Sequence, residues 1–216
     1  MTTLHKFTLT PKRVAIAGAL ALAVPGALAL PTATAVAQTD RFDQAIAALR
    51  GIETMKADFV QTDRTGQSVR GTMTLKRPGR IRFEYQGGDM LVVSNGRSLT
   101  FVDYEVDQVQ RWPIRSTPLG ALLDPGRDVK QYGRLVPTSN PDVTSVEVKD
   151  TKNGVTITMI FVRDASAPGG WRLSNWVALD AQNKRTRVDL SNQRYGMSVP
   201  DSAFTFRDPR RSGGRP

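Results

Sequence analysis

The sequence predicts a mainly β fold, an unclosed antiparallel β-barrel or strongly curved sheet with short α-helices as a lid or plug. Residues 81–85 alternate apolar and charged side chains, which is typical of a strand with one buried and one solvated face. About ten such segments follow one another with short turns, such as Asn95-Gly96, and only two segments have helical spacing. The interior is then either a filled core or an apolar cavity, and composition alone favours the filled core.

Each predicted strand is a short segment with apolar residues on one face, bounded by turn residues. The segments are 57–61, 69–76, 80–85, 90–94, 98–103, 108–112, 143–149, 155–163, 171–179 and 185–190, with a possible short closing strand at 204–206. Residues 130–141 are predicted as a loop.

Two segments are predicted to be helical because their apolar residues recur at helical spacing. The first is 41–52, and its apolar stripe consists of Phe42, Ala45, Ile46, Ala48 and Leu49. The second is 116–124, with Pro118 in its first turn. Its apolar side is formed by Leu119, Leu122 and Leu123. Both helices are short enough to cover or plug the concave side of the sheet.

The N-terminus has the pattern of a secretory signal peptide, expected to span residues 1–37. A basic start precedes an apolar, alanine-rich run over residues 14–30, and Ala35-Val36-Ala37 fits a cleavage site before Gln38. Cleavage would remove three basic residues and no acidic ones, which lowers the net charge of +10 by three. We expect one soluble, exported domain over 38–206, followed by a basic, disordered tail over 207–216. Its basic surface suits anionic lipid or acidic proteins better than nucleic acid.

Composition excludes several classes of enzyme. The chain has no cysteine, and its single histidine, His5, lies in the predicted signal peptide. The mature protein therefore has no Ser-His-Asp triad, no cysteine nucleophile, no disulfide and no ordinary zinc or copper site. No glycine-rich phosphate loop links a strand to a helix, so nucleotide binding has no support. We expect no metal and no cofactor.

Carboxylate chemistry is the remaining catalytic possibility. Asp103, Glu105 and Asp107 alternate with apolar residues, which would place three acids on one strand face. Residues two apart on a strand lie about 6.5–7 Å apart, a separation that inverting glycosidases use between their carboxyl groups. Calcium could also use such a row. The favoured interpretation is a solvated hairpin face, because nothing else in the sequence resembles a catalytic or calcium-binding loop.

The sequence resembles a known family at several places. They are residues 59–61, the run MTLKRPGRIRFEY over 73–85, LVVSNG over 91–96, LTF over 99–101, Gln108-Val109 and STPL over 116–119. On these motifs the chain, from about residue 42 to 206, resembles the periplasmic outer-membrane lipoprotein carrier family, LolA. The resemblance implies an unclosed β-barrel with helices as a lid over an apolar cavity, and no catalysed reaction. It also implies a periplasmic monomer that takes acylated lipoproteins from an inner-membrane ABC transporter to an outer-membrane acceptor.

The resemblance also implies roles for particular residues. Arg77 would hydrogen-bond lid backbone and hold the empty cavity shut, whereas the alternative is a solvated arginine in a basic run. The lid residues facing the cavity would be Leu119, Leu122 and Leu123. The cavity lining would include Phe83, Tyr85, Leu91, Val93, Phe101 and Met159. Two other functions stay open on the same fold: a carrier of other amphiphiles such as glycolipids, and a lipid-sensing regulatory domain.

Overall fold

The computed structural model describes residues 33–117, 120, 123, 132–151 and 154–211. Its α-helix, α1, spans Ala33–Gly51. The strands are β1 Thr54–Thr62, β2 Ser68–Lys76, β3 Arg80–Tyr85, β4 Met90–Asn95, β5 Ser98–Asp103, β6 Gln108–Pro113, β7 Gly133–Val136, β8 Val143–Asp150, β9 Val155–Arg163, β10 Trp171–Leu179 and β11 Arg185–Tyr195. Short 3-10 turns cover Ile114–Ser116, Pro168–Gly170, Asp201–Phe204 and Pro209–Arg211.

The strands form one curved antiparallel sheet. Within the described ranges it has eleven strands in the order β6-β5-β4-β3-β2-β1-β11-β10-β9-β8-β7. Apart from the pairing of β1 with β11, each strand pairs only with its neighbours along the chain, so most connections are hairpins. The sheet is unclosed, with β6 and β7 as its two edges. The mainly β, open-barrel prediction is confirmed.

Helix α1 covers one face of the sheet, which we call the inner face. It packs against β8, β10 and the Pro168–Gly170 turn. A Cβ added at Gly169 would lie 3.0 Å from the Cα of Ala48, so glycine permits this close approach. Gln44 Oε1 accepts a hydrogen bond from Trp171 Nε1 at 3.2 Å. The buried side chains of the helix belong to the predicted apolar stripe: Ala45, Ile46, Ala48 and Leu49.

The opposite, outer face carries a smaller apolar cluster, which contains Leu91, Val93, Val102 and Phe204. Phe204 belongs to residues 197–206, which we call the C-terminal strap because they cross this face. Lys76 Nζ donates hydrogen bonds to Val199 O and to Asp201 Oδ1, both at 2.7 Å. Arg82 Nη1 donates to Thr205 O at 2.8 Å. Cations of β2 and β3 therefore hold the strap on the sheet.

The structure corrects three predictions about secondary structure. Part of the predicted 130–141 loop is β7, which adds an edge strand by pairing with β8. The predicted closing strand at 204–206 is not a strand: Phe204 ends a 3-10 turn, and its buried ring anchors the strap. Helix α1 begins at Ala33, earlier than the predicted residue 41. Of the predicted 116–124 helix, the structure describes Gly120 and Leu123, which are helical, and 116–117, which are not in an α-helix.

The predicted row of acids is also wrong, because Asp103, Glu105 and Asp107 do not share a strand face. Residues 104–107 form the turn between β5 and β6. Asp103 Oδ1 accepts a hydrogen bond from the backbone N–H of Glu105 at 3.0 Å, which folds the chain back. Asp107 has a φ of +51°, so the extended geometry that the carboxylate hypothesis required is absent here.

Two findings on the described residues bear on function. No group of three or more His, Cys, Asp or Glu side chains in the described ranges could hold a metal ion. Among the helices that the structure describes, none is both long enough and apolar enough to cross a membrane.

Candidate functional site

An apolar cavity of about 240 Å³ lies on the inner face of the sheet. Strands β3, β4, β5, β10 and β11 supply its apolar lining, because their inward residues meet where the sheet curves. These residues are Phe83, Tyr85, Val92, Leu99, Trp176, Ala178 and Val188. Three uncharged polar residues complete it: Gln61, Thr117 and Thr186. Among the described residues, no carboxylate and no cation lines the cavity, which suits hydrocarbon rather than a charged ligand.

Aromatic rings make the base of the cavity rigid. Phe59 packs edge-on against both Phe83 and Tyr85, with ring centroids 5.2 Å apart in each pair. Phe83 also meets Trp176 of β10, with centroids 6.3 Å apart. Edge-to-face pairs of this kind each stabilise a fold by about 0.5–1.5 kcal/mol beyond their burial. The rings therefore connect strands β1 and β3 to β10 across the inner face.

The Tyr85 hydroxyl is the one phenol in the cavity lining as the structure describes it. It donates a hydrogen bond to Gln61 Oε1 at 2.9 Å. Burial raises the pKa of Tyr85 to about 12, against a weaker opposing effect of the Gln61 hydrogen bond. The phenol therefore stays neutral at physiological pH, and its one hydroxyl is satisfied within the protein.

Arg77 connects the β2–β3 turn to the C-terminal end of α1. Its Nη2 donates a hydrogen bond to Leu49 O at 2.6 Å, and its Nε donates to Ile52 O at 3.0 Å. Carbonyls at a helix C-terminus lack intrahelical partners and carry partial negative charge, so a guanidinium is well suited to them. Burial lowers the pKa of Arg77, and Glu53 partly offsets this by favouring the charged form. Arginine nevertheless remains charged at any physiological pH.

The predicted lining residues separate onto both faces of the sheet. Phe83 and Tyr85 line the cavity. Leu91 and Val93 lie instead in the outer-face cluster beneath the strap, which differs from the expectation. The register explains this, because Phe83 is directly opposite Val92, whereas Arg82 is opposite Val93. Opposed residues on neighbouring antiparallel strands share a face.

The other predicted residues have mixed positions. Met159 is fully buried in the main core, directly opposite Trp176, and does not reach the cavity surface. Phe101 is half-buried and alternates with the outer-face Val102, so it lies on the inner face but outside the lining. Leu123 is fully buried and belongs to the same core. Leu119 and Leu122 lie outside the described residues.

Sequence reasoning missed most of the lining from the second half of the sheet. Trp176 and Val188 are directly opposite each other on β10 and β11. The signal was available in the apolar alternation of residues 171–179, but a β-bulge between Leu173 and Asn175 interrupts that alternation. Which side of the bulge faces inward cannot be obtained from alternation alone.

Comparison with known proteins places this fold in a family. The family model "Outer membrane lipoprotein carrier protein LolA" matches residues 50–207. An outer-membrane lipoprotein carrier protein of Pseudomonas putida is 27% identical over 200 residues, covering 89% of this chain and 96% of the relative. The protein of that name in Bordetella bronchiseptica is 28% identical over 207 residues, covering 90% of this chain and 93% of the relative.

Among solved structures, a LolA superfamily protein from Nitrosomonas europaea aligns with a TM-score of 0.46 at 12% identity, covering 78% of this chain and 97% of that one. The family assignment does not depend on that likeness, because the family model alone spans the helix end, the whole sheet and the strap. This chain belongs to the LolA family of outer membrane lipoprotein carrier proteins.

Proposed function

We propose that this chain is a non-catalytic periplasmic carrier that holds the acyl chains of lipoproteins in its inner-face cavity. It receives lipoproteins from an inner-membrane ABC transporter and delivers them to an outer-membrane acceptor, either a protein or the membrane itself. It acts as a monomer and uses neither a cofactor nor nucleic acid. The observation that carries this proposal is a largely apolar cavity, without a charged side chain among its described lining residues, on the face of the sheet that α1 covers in a chain of the LolA family.

The size of the cavity supports a closed, unloaded state. Its volume of about 240 Å³ is below the roughly 300–1,000 Å³ of pockets that hold drug-sized ligands. A lipoprotein with several acyl chains therefore needs a larger space than this one. Because the Phe59, Phe83, Tyr85 and Trp176 rings make the base of the cavity rigid, we infer that α1, which covers the same face of the sheet, moves to provide it.

The free energy of acyl transfer explains why a carrier is required. Removing acyl chain from water is favourable by about 0.8 kcal/mol per methylene, so one long chain approaches about 12 kcal/mol. A lipoprotein with such chains would not cross an aqueous compartment unaided. The lining offers apolar surface for the chains, and the protein part of the cargo remains in water.

A closed lid provides a route to release. Any free energy spent in opening α1 is subtracted from the affinity for cargo, which weakens binding relative to a permanently open cavity. The two hydrogen bonds from Arg77 to Leu49 O and Ile52 O contribute to that opening cost. In this proposal Arg77 is therefore the latch of the lid.

The test is a release assay with spheroplasts that retain newly made lipoproteins. Purified protein is added, and soluble lipoprotein bound to it is measured by immunoblot and by mass spectrometry of the acylated N-terminus. We expect a stoichiometric complex with triacylated lipoprotein. Val92→Gln, which places an amide in the lining, is expected to lower the yield of complex by about tenfold, because an unpaired buried amide costs about 1–3 kcal/mol.

The matched control is Val60→Gln. Val60 is also a half-buried valine in the sheet, but it lies on the outer face, where β1 alternates with the inward Phe59. Equal loss in both variants would contradict the inner-face cavity as the acyl site. Uptake of a glycolipid in place of lipoprotein would support the wider amphiphile carrier. Failure to take up either would favour the lipid-sensing regulatory domain.

A further inference from the structure

A second cavity, of about 1030 Å³, lies on the outer face between the sheet and the C-terminal strap. We call it the outer groove. Its floor is a row of four residues on adjacent strands: Arg194, Lys56, Thr74 and Arg82. Each is directly opposite the next in register. Its wall is the strap, which presents Val199, Ala203 and Phe206. The groove is therefore cationic below and apolar at one side.

Lys56 and Arg194 are the unusual pair in this floor. They are directly opposite each other on β1 and β11, where side chains start about 4.5–5.5 Å apart. Both are exposed, and neither forms an ion pair with a described carboxylate. Like charges at directly opposed positions destabilise a sheet. The fold therefore maintains a concentrated positive charge at this point instead of neutralising it.

The neighbouring cations, in contrast, form ion pairs with acidic residues. Lys76 and Arg80 both pair with Asp201 of the strap, at 2.7 and 3.0 Å. Arg82 pairs with Glu84 at 3.0 Å and donates to the strap carbonyls. The three cations that bind the strap therefore each have an acidic partner. Lys56 and Arg194 have none among the described residues.

Nearby acids do not compensate for the pair. Asp58 is two residues from Lys56 on β1, but Asn192 Nδ2 donates a hydrogen bond to its Oδ2 at 2.7 Å, which directs it to the β11 bulge. Glu84 lines the groove with Arg82 and is engaged by it. An anion entering the groove therefore meets Lys56 and Arg194 without first displacing a carboxylate from either.

We propose that the outer groove is a binding site for a phosphate group, held by Lys56 and Arg194. Guanidinium and ammonium groups are the usual partners of phosphate oxygens, and charge-assisted hydrogen bonds of this kind are about twice as strong as neutral ones. The apolar strap wall suits a phosphate that carries a hydrocarbon body. The site faces away from the acyl cavity, so it goes beyond the proposed carrier function and does not depend on it.

The test is titration of ¹⁵N-labelled protein, followed by amide NMR shifts, at constant ionic strength set with chloride. The two probes are inorganic phosphate and monomeric dihexanoyl phosphatidate, with dihexanoyl glycerol as the uncharged lipid control. We expect saturable shifts at Lys56, Thr74 and Arg194 with both phosphate probes and not with dihexanoyl glycerol. Tighter binding of the phosphatidate identifies a lipid headgroup as the source of the phosphate, and equal binding identifies free phosphate.

The variant K56Q/R194Q should weaken phosphate binding by about tenfold or more, because it removes both of the cations that hold the phosphate. The matched control is R64Q/R185Q, which removes the same charge from two exposed positions outside the groove. Equal weakening in both variants would show that phosphate responds only to the net charge of the protein, which would overturn the site. Absence of saturable shifts with either phosphate probe would also overturn it, as would binding of a hexaglutamate peptide but not of phosphate.

The acyl cavity provides an internal reference in the same spectra. Shifts confined to the inner-face residues Phe83, Tyr85 and Trp176 would place the phosphatidate in the acyl cavity and contradict the outer groove. Because K56Q/R194Q leaves the inner face unchanged, it should still form the complex with lipoprotein in the spheroplast assay. Failure of the phosphate site and failure of the carrier function are therefore distinguishable.

Discussion

Arg77 Nη2 donates a hydrogen bond to the carbonyl oxygen of Leu49 at 2.6 Å, which joins the β2–β3 turn to the last turn of α1. The same short stretch of chain also acts on the other face of the sheet. Its neighbours Lys76 and Arg80 bind Asp201 of the strap. Residues 76–80 therefore bind α1 on the inner face and the strap on the outer face.

Replacing Arg77 should loosen α1. In Arg77→Leu the carbonyls of Leu49 and Ile52 lose charged donors, and hydrogen bonds to charged groups contribute about 1.5–3 kcal/mol to stability. We expect a lower free energy of unfolding by that amount, and faster hydrogen exchange of the amides in the last turns of α1. With the latch released, lipoprotein should be retained longer and transfer to acceptor membranes should slow.

Arg80→Leu is the matched control, because Arg80 is an arginine three residues away that binds the strap and not the helix. It should leave exchange in α1 and the transfer rate near those of the original protein. Normal transfer in Arg77→Leu would contradict the latch, and accelerated exchange in both variants would make the effect nonspecific.

Strap attachment should depend on pH through Asp201. The hydrogen bond from Lys76 is the main reason that the pKa of Asp201 lies below its ordinary value of 3.8, with a further contribution from Arg80. A carboxyl group whose pKa is lower in the folded protein than in the unfolded chain stabilises the fold when it is ionised. This stability is fully present above the unfolded-state pKa and is lost as the pH falls through the folded-state pKa. Urea unfolding between pH 6 and 2 should therefore show a loss of stability below pH 3.8.

Asp201→Asn should remove the part of that acid dependence due to this carboxyl. The same substitution in a Lys76→Gln background should change the pH profile less, because the main cause of the shift is already absent. Equal changes in both backgrounds would show that Lys76 and Asp201 do not interact in solution.

The accuracy of the sequence-based predictions differed between strands for a physical reason. In β3 the apolar Ile81, Phe83 and Tyr85 alternate with charges, so the inward face was unambiguous. In β4, Leu91, Val92 and Val93 are all apolar, because the strap covers their outer side and gives that face a small core of its own. Periodicity carries no information about direction in such a strand. The strap anchor Phe204 was likewise mistaken for a strand residue, since its burial depends on contacts far along the chain.

The Tyr85 phenol should titrate at a higher pH than an ordinary tyrosine. Burial raises its pKa to about 12, from an ordinary value of 10.0. A tyrosine whose pKa is higher in the folded protein than in the unfolded chain stabilises the fold when it is neutral. This stability is fully present below the unfolded-state pKa and is lost as the pH rises through the folded-state pKa. Absorbance at the phenolate band should show a late component near pH 12 that is missing in Tyr85→Phe.

The control for that measurement is Tyr132→Phe, since Tyr132 is 46% exposed and lies outside the cavity. Its removal should leave the late component intact. Burial also raises the pKa of Tyr195, so the comparison is made in a Tyr195→Phe background. A late component that survives in Tyr85→Phe of that background would show that Tyr85 is not its source.

Gly71 is the position where the base of the cavity tolerates least change. In register it lies between Phe59 and Tyr85, whose rings meet across it. An added Cβ would be 2.7 Å from the Phe59 ring and would overlap the Glu84 carbonyl, which is backbone and cannot move aside. Overpacking of this kind costs about 1–3 kcal/mol, and more where backbone must shift. Gly71→Ala should therefore lower the urea midpoint and reduce lipoprotein uptake together, whereas Thr72→Ala, on the outer face of the same strand, should change neither appreciably. Native stability in Gly71→Ala would mean that strands β1 to β3 are less tightly packed than the ring contacts indicate.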